Sequence, residues 1–172
     1  MLGWRWGCVL LWAWFGGMSL AQALEVPSGP VLLKVTGAIE ITNVGGEARF
    51  DRAMLEALPQ HETRTHLPWY DGSSVYRGPL LRDLLSAVGS TGSQLRVSAL
   101  NDYVSEIPVS DALEHDVILA MSRDGVPMRV RDQGPLFVIY PFDDFPELYT
   151  EVYLHRSVWQ VSTIDVRRSP RP

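Results

Sequence analysis

The sequence predicts a mixed α+β domain in which many short strands are interrupted by a few short helices. Three observations carry that expectation. Short segments rich in β-branched residues recur along the chain, turn dipeptides such as Gly45-Gly46 and Asp124-Gly125 follow several of them, and the helical stripes are brief. Hairpin-type connections outnumber strand–helix–strand crossovers, which favours antiparallel or mixed sheets. No internal repeat and no low-complexity linker divides the chain.

Residues 1–23 read as a secretory signal peptide. Arg5 lies in a short leading segment, Cys8 to Phe15 form an apolar core, and Ala21-Gln22-Ala23 precede the cleavage point. That core is far shorter than the ~20 residues of a membrane-spanning helix. Export to the periplasm or the medium is therefore expected, with no membrane span after cleavage. Residues 24–166 then make one domain, large enough to bury its own core. The basic tail, 167–172, is expected to be frayed and solvated. A formal net charge of −5 gives no attraction to a polyphosphate, so nucleic acid is excluded as a partner. The only cysteine, Cys8, leaves with the signal, so the rest of the chain has no disulfide, thiolate ligand or cysteine nucleophile.

In chain order, Val31 to Val35 and Ala38 to Thr42 read as strands broken by Gly37, and Glu47 to Phe50 as their partner across Asn43-Val44-Gly45-Gly46. Asp51 caps a helix over Arg52 to Leu58, ended by Pro59. Glu62 to Leu67 alternates as a half-exposed strand, and 68–74 is a loop carrying Trp69 and Tyr70. Gly78-Pro79 opens a helix whose inward face is Leu80, Leu81, Leu84, Leu85 and Val88, with Gly89 as its stop. Gln94 to Leu100 is a strand with Leu95, Val97 and Ala99 on one face, and Asn101-Asp102 turns it into Tyr103 to Ile107. Ser110 caps a brief helix, and Val117 to Met121 is a buried strand. Asp124-Gly125 is a tight turn into Val126 to Val130. Gly134-Pro135 feeds Leu136 to Tyr140, apolar on both faces. Glu147 to His155 forms a helix with Leu148 and Val152 inward, and Trp159 to Val166 is the last strand.

Several groups carry possible chemistry. His61 and His66 stand five apart in a strand and so face opposite sides, which rules out joint ligation there; no metal site is expected. Asp143 and Asp144 suit either acid–base or Ca²⁺ chemistry or, more simply, a turn in which carboxylates accept from backbone donors. Arg129 and Arg131 suit an anion, whereas Arg131 with Asp132 equally suits an exposed ion pair. Trp69 and Tyr70 either stack on a planar ligand or fill a satellite core.

Taken together and in order, a set of segments resembles the molybdopterin-binding oxidoreductase domain of the sulfite oxidase type. They run from Leu55-Glu56-Ala57-Leu58-Pro59-Gln60 and Tyr76-Arg77-Gly78-Pro79-Leu80-Leu81-Arg82-Asp83-Leu84-Leu85 through Asn101-Asp102-Tyr103 and Ile118-Leu119-Ala120-Met121 to Asp124-Gly125-Val126-Pro127-Met128. Arg131-Asp132-Gln133-Gly134-Pro135-Leu136, Tyr140-Pro141 and Ser157-Val158-Trp159-Gln160 complete the set. The resemblance implies a single sulfite-oxidase-type domain with a molybdopterin in a deep pocket and a cysteine thiolate on the metal. The loop that carries that cysteine in the family is 67–74 here, and it has none; the family's His-Gly is Gln133-Gly134. Two functions follow as expectations. In the first, an exported oxidoreductase holds molybdopterin without a thiolate, with Asn101, Arg129 and Arg131 on the cofactor's phosphate and Trp69 and Tyr103 at the entrance. Asp71, Ser73 or Ser74 would then offer oxygen ligands. In the second, favoured by the missing thiolate, the fold serves as a cofactor-free module. Its partner is a small anionic or planar ligand, or a periplasmic or membrane signalling protein.

Overall fold

Residues 24–168 are described by a computed structural model. The predicted signal segment and the last four residues lie outside them. Eleven strands and four short helices form a single mixed α+β domain among these residues. The chain runs β1 (Leu33–Gly37), β2 (Ala48–Phe50), α1 (Arg52–Ala57), β3 (Gln60–His66), β4 (Ser73–Pro79), α2 (Leu81–Ala87), β5 (Gln94–Ala99) and β6 (Val104–Pro108). It continues with α3 (Val109–Glu114), β7 (Ile118–Ala120), β8 (Ser122–Arg123), β9 (Val126–Pro127), β10 (Phe137–Ile139), α4 (Glu151–Arg156) and β11 (Val161–Arg167).

Three sheets share one core. The largest has the order β2-β1-β11-β5-β6, and only its β1–β11 pair is parallel. The others are β3-β4-β8-β9 and β10-β7. Leu95, Val97 and Ala99 alternate inward from β5, while all three residues of β10 are buried, as a strand covered on both faces requires. The β4 strand crosses close to β7 because Gly78 lacks a Cβ: one placed there would lie 2.0 Å from the Leu119 carbonyl oxygen. Asp51 caps α1, accepting from the Met54 amide at 3.0 Å. Its other oxygen accepts from the Ser28 and Gly29 amides, which fastens the lead-in to the helix.

Several sequence expectations are corrected. Residues 38–42 are not a strand. After Gly37, at φ +86°, the amides of Glu40 and Ile41 donate to Val88 at the end of α2. The Ser-rich half of the 68–74 loop conceals the start of β4, whose seven residues pair with β3 from His66↔Ser73 to Gln60↔Pro79. Gly78-Pro79 therefore ends a strand rather than opening a helix, and α2 starts at Leu81 after an extended Leu80. Ser110 lies inside α3, whose cap position is Pro108. Leu148 is buried, but in a 3₁₀ turn, Pro146–Leu148; α4 begins only at Glu151 and leaves Val152 54% exposed. Arg167 belongs to β11 opposite Gln94, so the tail starts later than expected.

Candidate functional site

The site grows from β10. Phe137 forms an isolated bridge with Trp159, which stands just before β11. Trp69, from the loop between β3 and β4, packs on both: its ring is 6.1 Å from Phe137 and 5.1 Å from Trp159, the two indoles meeting at 85°. Phe137 lies edge-on to Trp159 at 6.2 Å and to the buried Tyr76 at 6.3 Å. Such edge-to-face packing fixes aromatic planes relative to one another. Segments far apart in sequence, backed by Phe137 of β10, thereby bring Trp69 and Trp159 into one wall.

That wall closes one side of a cavity of about 450 Å³. Ligand pockets of small molecules span roughly 300–1,000 Å³. The turn between β5 and β6, with Asp102 at φ +65°, brings in Asn101 and Tyr103. The Tyr103 amide donates to Asn101 Oδ1 at 3.2 Å, and the Tyr103 hydroxyl donates to the His155 carbonyl at 3.0 Å. The opposite side is α4, presenting Glu151, Leu154 and His155, with Ser157 and Val158 after it. The wall is chiefly apolar, and Glu151 is its only carboxylate. Glu151 has no ion-pair partner among the described residues.

Of the five residues nominated from sequence, Trp69, Asn101 and Tyr103 line this cavity. Arg129 and Arg131 do not. Arg129 precedes a 3₁₀ turn, Val130–Asp132, and Arg131 lies within it; both are largely exposed, with Arg129 Nε 2.6 Å from Asp132 and Arg131 3.9 Å from it. The two arginines neutralise a neighbouring acid instead of converging with Asn101 on a phosphate. Asp132's carboxyl is held below the usual range, chiefly by the Arg129 hydrogen bond. Sequence reasoning did not place Glu151, Leu154, His155 or Trp159 in the site. Two signals pointed there: the second tryptophan beyond the signal segment and the segment Ser157-Val158-Trp159-Gln160 of the family resemblance.

Behind Trp69, Tyr70 donates to Gln133 Oε1, and the Arg123 guanidinium sits 3.9 Å over the Tyr70 ring. Gln133 is left-handed at φ +67° and is followed by a cis Gly134-Pro135 peptide. A Cβ on Gly134 would meet the Met128 carbonyl oxygen at 2.3 Å, so this turn is packed shut against its neighbour. Burial pushes up the Tyr70 hydroxyl and takes that of Tyr76 to about 12. Asp143 accepts from the His66 amide at 3.1 Å, from the His66 ring and from Ser73 Oγ at 3.2 Å. It thus clamps the end pair of the β3–β4 hairpin, the simpler of its two readings. His61 and His66 project from opposite faces of β3, and no cluster of three or more His, Cys, Asp or Glu is placed to hold a metal among the described residues.

The comparisons with known proteins bear on this geometry. The sequence profile of the oxidoreductase molybdopterin binding domain matches residues 52–145, more than half of the chain. The chain belongs to that family. Among solved structures, the sulfane dehydrogenase SoxCD from Paracoccus pantotrophus is similar in fold, with a TM-score of 0.59 at 19% identity over 78% of this chain. The match spans 37% of the SoxCD chain. A search of curated proteins finds no match. Family membership and fold agree with the expected sulfite-oxidase-type domain.

The residues present do not fit a thiolate-anchored molybdopterin. Residues 24–168 contain no cysteine, and the cavity wall contains no sulfur donor. The oxygen donors of the neighbouring loop are engaged or remote. Ser73 donates to Asp143, Ser74 lies by Asp124 and helps hold its carboxyl below the usual range, and Asp71 is exposed outside the wall. No arginine or lysine lines the cavity to meet a phosphate dianion.

Proposed function

We propose that this domain is an exported member of the molybdopterin-oxidoreductase family that acts as a ligand-binding module without thiolate-anchored molybdenum chemistry. One observation carries the reading: the concave space beside the 67–74 loop is walled by aromatic and aliphatic side chains, with neither a soft metal ligand nor a cation for a phosphate. A small organic molecule with an apolar or planar body fits such a wall, because burying its surface there is favourable by roughly 25 cal/mol per Å². The wall does not favour an anion, since its one permanent charge is a carboxylate. Export rests on the three-part layout of residues 1–23.

Trp69 and Trp159 are the only tryptophans after residue 23, so indole fluorescence of the processed chain reports on the cavity directly. The neutral planar fluorophore N-phenyl-1-naphthylamine should bind saturably with one site per chain and draw energy transfer from both indoles. Leu154→Glu should weaken it by about tenfold, the effect of a roughly 1.4 kcal/mol loss of apolar contact. Failure of the unmodified protein to bind the probe would overturn the reading.

A further inference from the structure

The cavity described above has three aromatic walls and one unpaired acid. Trp69 and Trp159 are nearly perpendicular, and Tyr103 is held in place through its hydroxyl by the His155 carbonyl. The ring faces of indole and phenol carry negative potential, which attracts a cation brought within about 6 Å. Glu151 adds a formal negative charge at the first position of α4 and has no cation paired with it among the described residues. Arginine and lysine, which would compete for the same faces, are absent from the wall. The chain as a whole is acidic, at −5.

Resting on the ligand-binding reading of the same cavity, we propose that its ligand is an organic cation of the quaternary ammonium class. Such a group has no N–H to satisfy and spreads its charge over alkyl carbons. It loses little hydration on entering an apolar space and gains the attraction of ring faces and carboxylate together. A neutral molecule of the same shape gains only the burial. A primary ammonium would need acceptors for all three of its N–H groups, and beyond Glu151, Asn101 and Ser157 the walls are chiefly apolar; an anion would meet Glu151 and the ring faces with repulsion. The polar groups of Asn101 and Ser157 in the same wall suit a short neutral arm on the cation, such as a hydroxyl.

The other sites in the molecule argue less strongly. The polar hollow between α1 and β8 holds Arg52 and Arg77, but Arg52 already faces Glu56 at 3.6 Å. The shallow depression at His66 and Tyr149 is spanned by the Asp143 clamp itself.

The test titrates choline and its uncharged carbon isostere, 3,3-dimethylbutan-1-ol, into the processed full chain, following indole fluorescence and heat. Choline should bind saturably and at least about tenfold more tightly than the isostere. Glu151→Gln, at an exposed helix position, should weaken choline several-fold and leave the isostere unchanged. Trp69→Leu should weaken choline more than the isostere, with circular dichroism confirming that the variant is folded. Equal binding of the two probes, or no saturable choline binding, overturns the cation assignment. If N-phenyl-1-naphthylamine still binds in that case, the ligand-binding reading stands without it; if that probe fails as well, both fall.

Discussion

Two regions of this domain combine aromatic rings with charge, and they lie on either side of α4. On the interior side, Tyr140 donates to Asp111 Oδ2 at 2.8 Å and Arg156 donates to the same oxygen at 2.9 Å. Tyr153 packs edge-on against Tyr140 at 5.4 Å, with the Arg156 guanidinium 5.1 Å from its ring centre. On the outer side stand Trp69, Trp159, Tyr103 and Glu151 around open space. In the first region the charge is matched, the rings are in contact and the acid is 6% exposed. In the second the acid is unmatched, and the rings, although Trp69 and Trp159 touch, border a cavity that no protein side chain fills. A buried, paired carboxylate is a device of folding, because stripping its partner leaves an uncompensated charge in a poor solvent. An unpaired one beside aromatic faces costs the fold little and is free to meet a ligand.

The difference is open to attack. The heaviest blow should come from Asp111→Ala, which strands Arg156 and leaves the Tyr140 hydroxyl without its acceptor. We expect a loss of about 3–5 kcal/mol in urea-induced unfolding; a loss below about 1 kcal/mol would remove the interior network from the account.

Raising the pH should come next in size. Burial, and then the neighbouring Tyr70, lift the Tyr76 hydroxyl to about 12, whereas an unfolded tyrosine titrates near pH 10. Burial, and then Asp111, raise Tyr140 as well. The stability held in the neutral Tyr76 is therefore complete below about pH 10 and drains away as the pH climbs to about 12. It is worth about 2–3 kcal/mol. Tyr76→Phe should remove the Tyr76 share of that alkaline loss and leave the share of Tyr140, and an unchanged slope would show that Tyr76 carries none of it.

Tyr140→Phe is gentler, since Asp111 keeps Arg156; about 1–2 kcal/mol should be lost in the same urea assay. A loss matching that of Asp111→Ala would mean that the hydroxyl, not the ion pair, holds the network. Glu151→Gln should be the mildest, within about 0.5 kcal/mol of the unmodified protein. A larger destabilisation would place Glu151 among the folding charges and erase the contrast between the two sides of α4.

Much of this architecture is legible locally. Alternation at Leu95, Val97 and Ala99, the stripe Leu81, Leu84, Leu85 and Val88, the Asp51 cap and the Asp124-Gly125 turn each follow from one stretch of sequence and reappear in the structure. The failures have a common cause. β4 opens with Ser73 and Ser74, which read as loop, and it is a strand because β3 and β8 pair with it. Residues 38–42 have strand composition but are diverted by the end of α2. In the site, Trp69, Asn101 and Tyr103 carry recognisable chemistry, so they were nominated from sequence. Their meeting with Trp159 and α4 depends on contacts between distant segments, for which periodicity has no signature. Arg129 and Arg131 misled because their partner, Asp132, sits beside them, and the exposed ion pair was the reading that geometry selected.

The metal content of the protein tests the central claim most directly. Molybdenum and extractable pterin should be measured, by elemental analysis and pterin fluorescence, on protein exported from a host that makes the cofactor. The account predicts neither above background, with the indole-lined cavity still binding its organic probes. Near-stoichiometric molybdenum and pterin would contradict it, and would require a metal ligand other than a thiolate from residues 24–168.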